Sequence, residues 1–149
     1  MNNINPIISK MEKTDIDELI NMQLSNNTTI LSKTSILIDF DSNNAIYFVA
    51  RIDNKIIGYI AANLLYDHID ILGVLVTHEY IRNGIASTLL SMVLDYAKTI
   101  NINDILLEVR ITNIAAQKLY EKYGFEKINV RKNYYPNNLE DAIIYKLSI

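Results

Sequence analysis

The apolar positions of this chain change period along its length, and each change predicts an element. From residue 84 to about 100 they recur at helical spacing. Leu89, Met92, Val93, Tyr96, Ala97 and Ile100 stand at i, i+3, i+4, i+7, i+8 and i+11, one continuous stripe. Upstream the period shortens. Residues 45–52 and 56–66 are apolar runs rich in sheet-formers, and Asp53-Asn54-Lys55 between them predicts a hairpin. Asp67-His68 predicts a second turn, and 69–76 a third strand. The end of that strand, Leu72 to Val76, is nearly all aliphatic, as for a strand covered on both faces.

The flanks are less regular. Residues 6–11 predict a short strand. Thr14 then offers an oxygen to cap a helix whose first turn holds Asp15, Asp17 and Glu18, where the helix dipole favours negative charge. Ile16, Leu19 and Ile20 give it an apolar face, and Ser25-Asn26-Asn27 ends it. A second helix is expected over 29–40. After the long helix come a strand at 104–110, a helix at 113–122, and strands at 125–132 and 142–148. The order is βααβββαβαββ. Hairpins mixed with helical crossovers imply an α/β fold of mixed α+β character. It is expected to hold one mostly antiparallel mixed sheet of about seven strands, with helices on both faces. At 149 residues the chain is expected to form a single domain, 1–149.

Composition narrows the chemistry. There is no cysteine, hence no thiolate nucleophile and no cysteine metal site. The two histidines, His68 and His78, are isolated, so no metal is expected. Net charge is −3, a poor basis for nucleic-acid binding, which needs clustered Lys and Arg. No apolar run approaches the roughly 20 residues of a membrane span, and the first ten residues lack a signal-peptide core. No membrane partner and a cytoplasmic home are expected.

Two segments carry chemistry. Gly84, at the mouth of the long helix, lets an anion approach backbone N–H groups that have no partner of their own. Small Ala86 and Ser87 keep that first turn open, and Arg82 adds charge. The second segment runs from Leu107 to Pro136. Within it Glu108 interrupts an apolar strand. Alternation turns Ile105, Leu107 and Val109 to one face and Leu106, Glu108 and Arg110 to the other. A carboxylate beside Leu106 fits a general base; taken on the strand alone, a surface Glu paired with Arg110 is the better reading. Asn113 or Thr112 is placed to cap the following helix.

Together these segments resemble the GNAT N-acetyltransferases, which move acetyl from acetyl-CoA to an amine. Leu107-Glu108-Val109-Arg110, Tyr120 twelve residues after Glu108, Asn133-Tyr134-Tyr135-Pro136 and Glu140-Asp141-Ala142 resemble one branch, the RimI-type ribosomal-protein N-terminal alanine acetyltransferases. The resemblance covers nearly the whole chain, weakly before Ala45. It implies that Arg82, Asn83, Gly84, Ile85, Ala86 and Ser87 hold the pyrophosphate of acetyl-CoA. It implies that the backbone of Val74, Leu75 and Val76 pairs with the pantetheine arm and polarises the acetyl carbonyl, and that Asn113 bonds the same arm. Glu108 is then the base and Tyr120 the acid that meets the CoA sulfur. Tyr134 and Tyr135 wall the peptide site, and Glu140 and Asp141 stand ready for a basic peptide.

The implied partners are acetyl-CoA and the basic N-terminal peptide of a ribosomal protein, met by a monomer or weak homodimer. Two departures stand out. Ile81 occupies a position where the family pattern has Gln or Arg, and the chain has no Trp between its first two helices, where Asn26-Asn27-Thr28 stands instead. Two other functions fit the same sequence: acetylation of a small amine or polyamine, and a non-catalytic CoA-binding regulatory module.

Overall fold

The structure, a computed structural model, describes residues 4–149. The first three residues of the expected domain lie outside the described residues. Seven strands form one sheet: β1 (Ile7–Lys10), β2 (Ala45–Ile52), β3 (Lys55–Leu64), β4 (His68–Val76), β5 (Asp104–Arg110), β6 (Glu126–Arg131) and β7 (Ala142–Ser148). Their order across the sheet is β1-β2-β3-β4-β5-β7-β6. Every pairing is antiparallel except β4 with β5. The helices are α1 (Ile16–Ser25), α2 (Lys33–Asp41), α3 (Ile85–Thr99) and α4 (Ile114–Lys122). Both the fold class and the element order match expectation.

Each face of the sheet carries its own core. On one face Leu89, Leu90, Val93 and Ala97 of α3 and Tyr120 of α4 cover Ile69, Ile71, Ile105, Leu107, Val109 and Tyr145. Of the predicted stripe on α3, Leu89, Val93 and Ala97 are buried and Met92, Tyr96 and Ile100 pack partly buried at its margin, while Leu90 and Leu94 complete the buried face. On the other face Ile16, Leu19 and Met22 of α1 and Ile36 of α2 cover Tyr47, Val49, Tyr59 and Ala61.

Local chemistry moves several expected boundaries. A 3-10 turn, Lys13–Asp15, precedes α1, and the Glu12 N–H donates to the Asp15 carboxylate at 2.9 Å. Thr14 lies inside that turn and caps nothing. The second helix begins at Lys33 rather than 29, because Ser32 accepts from the Ser35 N–H at 3.1 Å. Ahead of it Gln23, 1% exposed, bonds both the N–H (3.0 Å) and the C=O (2.9 Å) of Leu31. The Tyr59 hydroxyl donates to the same Gln23 side chain at 2.6 Å. That pairing pulls Leu31 out of any helix. His68, expected in a turn, opens β4 opposite Asp104.

Two irregularities in β4 prepare the site. Ala61 pairs with Gly73 and Ala62 with Ile71, so Leu72 is an extra residue in β4, a bulge. Gly73 beside it is needed: a Cβ there would stand 2.8 Å from Ile30 Cγ2, in the loop between α1 and α2. The parallel pairing of β4 with β5 also stops at Ile71–Leu107. Beyond that point the two strands part, while β5 stays paired to β7 as far as Arg110–Ala142.

Candidate active site

The parting of β4 and β5 opens into a cleft of about 330 Å³ between β4, the N-terminal end of α3 and the first turns of α4. Nine expected site residues line it: Val74, Val76, Arg82, Gly84, Ile85, Ala86, Ser87, Asn113 and Tyr120. Ile81, at the position where the family pattern has Gln or Arg, lines it too, and Tyr80, Ala115, Ala116 and Leu119 also line it and were not anticipated as site residues. The adjacent alanines after Asn113 were the available signal, since small residues keep a helix end close to a neighbouring surface.

The floor is β4. Its edge toward β5 has no strand partner after Ile71, so backbone groups of residues 72–76 on that side are open. Val74 and Val76 turn toward the cleft face, whereas the Leu75 side chain packs into the opposite core. Leu75 thus contributes main chain only.

The cleft's anion-binding end is the start of α3. Gly84 is its N-cap at φ 74°, a left-handed conformation that favours glycine, and no side chain caps the helix. A Cβ at Gly84 would meet nothing within 4 Å, so the space above it is open. The N–H groups of the first turn, residues 85–87, have no acceptor four residues back. Unpartnered donors at a helix N-terminus attract anions. Arg82 stands beside them with φ 65°. Asn83 is elsewhere: its amide bonds the carbonyls of Tyr80 (3.0 Å) and Ile81 (3.1 Å), stapling the turn rather than facing the cleft.

Asn113 caps α4, its Oδ1 accepting from the Ala116 N–H at 3.2 Å. Its amide N–H₂ has no protein partner among the described residues and remains available to the cleft. Thr112 does not cap; its N–H and hydroxyl both go to Glu140.

Tyr120 is 5% exposed, and burial pushes its pKa up to about 12. Buried tyrosine hydroxyls usually find a partner. This one has none among the described residues, yet it is not an orphaned buried atom, so it opens into the cleft it lines. The raised pKa keeps it protonated and makes it a weaker acid than the ordinary phenol expected from sequence.

Glu108 is the first residue of β5 beyond the last β4 pairing. It faces the α1–α2 side of the sheet, opposite to Tyr120, as alternation predicts. Its side chain is 31% exposed and lies 3.6 Å from Arg131, not against Arg110. Arg131 is a site neighbour that sequence reading missed; it reaches Glu108 only because β6 pairs with β7 and β7 with β5.

Tyr134 joins this group. Its pKa is raised, chiefly by the interaction of its hydroxyl with the Glu108 carboxylate. The Arg131 guanidinium lies 5.6 Å from its ring centroid. Tyr135 stands edge-on to Tyr134, centroids 5.0 Å apart, and its own pKa is raised mainly by burial. Glu140 does not face outward toward a peptide. Hydrogen bonds from the Thr112 hydroxyl and N–H, then Arg110 and Asn138, hold its pKa down to about 2. Asp141 likewise accepts from the Asn133 N–H at 2.9 Å.

A strand-lined cleft with an open main-chain edge and an uncapped helix N-terminus, with a tyrosine and a carboxylate on opposite sides of the gap, suits acyl transfer. The chain belongs to the acetyltransferase (GNAT) family, whose pattern matches residues 15–125. It is an acetyl-CoA-dependent N-acetyltransferase of that type, and it resembles the RimI branch. It is 31% identical over 143 residues, 95% of each chain, to a putative ribosomal protein bS18-alanine N-acetyltransferase of Bacillus subtilis. The crystal structure of the Escherichia coli ribosomal-protein-S18-alanine N-acetyltransferase superposes with a TM-score of 0.83 at 28% identity, covering 97% of this chain and 94% of that one. Arabidopsis thaliana NAA60 in complex with acetyl-CoA shares the fold, with a TM-score of 0.86 at 18% identity, over 97% and 100% of the two chains. Among the described residues no helix is long and apolar enough to cross a membrane.

Proposed function

We propose that this protein acetylates the N-terminal α-amine, alanine foremost, of a ribosomal protein, with Glu108 as base and Tyr120 as hydrogen-bond donor to the leaving sulfur. The observation that carries this reading is the gap between β4 and β5. Glu108 stands on one face of the sheet at the gap and Tyr120 on the other, so an amine and an acyl donor can meet through it from opposite sides.

The residues present fit acetyl-CoA. The uncapped first turn of α3, with Arg82 beside it, suits a pyrophosphate. The open edge of β4 suits an extended amide-bearing arm, and the free Asn113 amide suits the same arm. Bound acetyl-CoA supplies an activated acetyl thioester. An α-amine has a pKa of about 7.7–8.0 and is mostly protonated at neutral pH. Glu108 takes that proton, directly or through water, so that the nitrogen lone pair can attack. N–H groups on the open β4 edge stabilise negative charge developing on the acetyl oxygen. After attack the nitrogen sheds its second proton to solvent, the C–S bond breaks, and Tyr120 donates a hydrogen bond to the departing thiolate. With a pKa of about 12, well above the roughly 8.5 of a simple thiol, it keeps its own proton. No covalent acetyl-enzyme is required.

Support for the peptide substrate comes from the names of the Bacillus and Escherichia relatives and from the two tyrosines beside Glu108. The test is mass-spectrometric. A basic peptide with a free N-terminal alanine, and separately a panel of polyamines and amino sugars, would be incubated with enzyme and acetyl-CoA. One acetyl on the peptide α-amine, lost in Glu108→Gln, is the expected result. Acetylation of small amines alone would discard the peptide substrate, and full activity in Glu108→Gln would discard the base.

A further inference from the structure

Arg110 shares a face of β5 with Glu108, but its ion pair is with Glu140. Its guanidinium carbon lies 3.8 Å from the Tyr135 ring centroid. Its nitrogens donate to Asn138 Oδ1, Asn137 Oδ1 and Glu140 Oε1, each at 3.2 Å. Every one of these partners belongs to the loop joining β6 to β7. Glu140 fastens that loop a second time. Its carboxylate accepts from Thr112, and its main-chain oxygen accepts from the N–H groups of Tyr134 (3.1 Å) and Tyr135 (3.2 Å).

The contacts form a circuit that leaves β5 and returns to it. Arg110 stacks on Tyr135, Tyr135 meets Tyr134 edge-on at 90°, and the Tyr134 ring lies 5.6 Å from the Arg131 guanidinium, which is 3.6 Å from Glu108. Asn133 and Leu139, at φ 52° and 57°, fold the loop so that this return is possible. A plain surface ion pair would need none of this. The planar fork of arginine does, because it stacks on one ring and donates in several directions at once, which lysine cannot do.

We propose that Arg110 is a positioning residue for the reaction: with Glu140 it braces the β6–β7 loop so that Tyr135 holds Tyr134 beside the Arg131–Glu108 pair. This rests on Glu108 being the base. The brace fixes the carboxylate's neighbour, and so its direction, at the point where the amine arrives.

The first readout needs no substrate. In protein carrying ¹³C-labelled tyrosine, the Tyr134 resonance is identified by its loss in Tyr134→Phe, and its hydroxyl is titrated. The groups facing it are Glu108, Arg131 and Tyr135. In the wild type and in Tyr135→Phe, which keeps the ring, Tyr134 should titrate above the ordinary tyrosine value of about 10. In Arg110→Lys, which keeps the charge, and in Tyr135→Leu, it should move down toward that value. The second readout is kinetic. Arg110→Lys should lower kcat/KM for the alanine peptide about tenfold while the Kd for acetyl-CoA, by calorimetry, stays within twofold. An unmoved Tyr134 titration in both Arg110→Lys and Tyr135→Leu would overturn the brace. Full turnover by Glu108→Gln would instead overturn the base assignment and the catalytic meaning of the brace with it. An inactive Glu108→Gln beside an unmoved titration would overturn the brace alone.

Discussion

Tyr120→Phe separates a catalytic tyrosine from a core tyrosine. The substitution deletes one oxygen and leaves the ring, which is 5% exposed and packs edge-on against Phe125 with centroids 5.6 Å apart. The hydroxyl has no partner among the described residues, so its removal breaks no protein hydrogen bond. Stability should therefore change by no more than about 0.5 kcal/mol in either direction. Tyr145→Phe is the control: there the hydroxyl donates to Glu121 at 2.8 Å, and its loss should cost about 1 kcal/mol. Activity should behave the other way. Loss of a positioned acid or hydrogen-bond donor typically lowers turnover about 10²–10⁴-fold, or roughly 2.7–5.4 kcal/mol of transition-state stabilisation. Urea unfolding reads the first quantity, and release of free thiol from acetyl-CoA in the presence of the peptide reads the second. A Tyr120→Phe protein that loses more than about 1.5 kcal/mol yet turns over within threefold of wild type would refute the argument, because the hydroxyl would then be structural.

Two further outcomes follow from buried and paired groups. Glu140 has a folded pKa of about 2 against an ordinary 4.5, set by Thr112 and then Arg110. A depressed carboxyl stabilises the fold fully above its unfolded value and loses that contribution as pH falls from about 4.5 toward 2. The urea midpoint of the wild type should thus fall more steeply through that window than that of Glu140→Gln; parallel curves would remove the Glu140 contribution. Gln23→Ala strands the Leu31 N–H, the Leu31 carbonyl and the Tyr59 hydroxyl, each at roughly 1–3 kcal/mol if left buried without a partner. A loss of about 3 kcal/mol or more in urea unfolding is expected, and a loss under about 1 kcal/mol would show that the loop between α1 and α2 is held by something else.

Much of this fold is legible because burial imposes a period. The stripe on α3 and the alternation of β5 both name a face, and the structure buries those faces. The start of α3 is legible for a different reason: the turn at Gly84 takes a left-handed φ of 74°, which glycine adopts at least cost, so the residue type itself reports the geometry. What escaped the sequence depends on single side chains reaching far along the chain. Nothing local says that Gln23 will take Leu31 out of a helix, or that Glu140 will bond Thr112 from 28 residues away. Arg110 looked like the natural partner of Glu108 because they are two apart on one strand. Two antiparallel pairings bring Arg131 to Glu108 instead, and Arg110 is drawn off to the loop.

The same reasoning explains how Glu108 and Tyr120, the proposed base and donor, can act together from opposite sides of a sheet. In a continuous sheet, side chains on the two faces cannot meet, because the hydrogen-bonded backbone lies between them. Here the bulge at Leu72 and the end of pairing at Ile71–Leu107 open that barrier at one place only, and Glu108 is the first β5 residue past it. Moving the carboxylate one residue either way along β5 would turn it into the core beneath α3 and α4, and moving it two residues back would seat it beside the closed part of the sheet. The carboxylate's position is thus set by where the strands separate, and Gly73 matters to the chemistry because the loop residue Ile30 must pack down on β4 beside that opening.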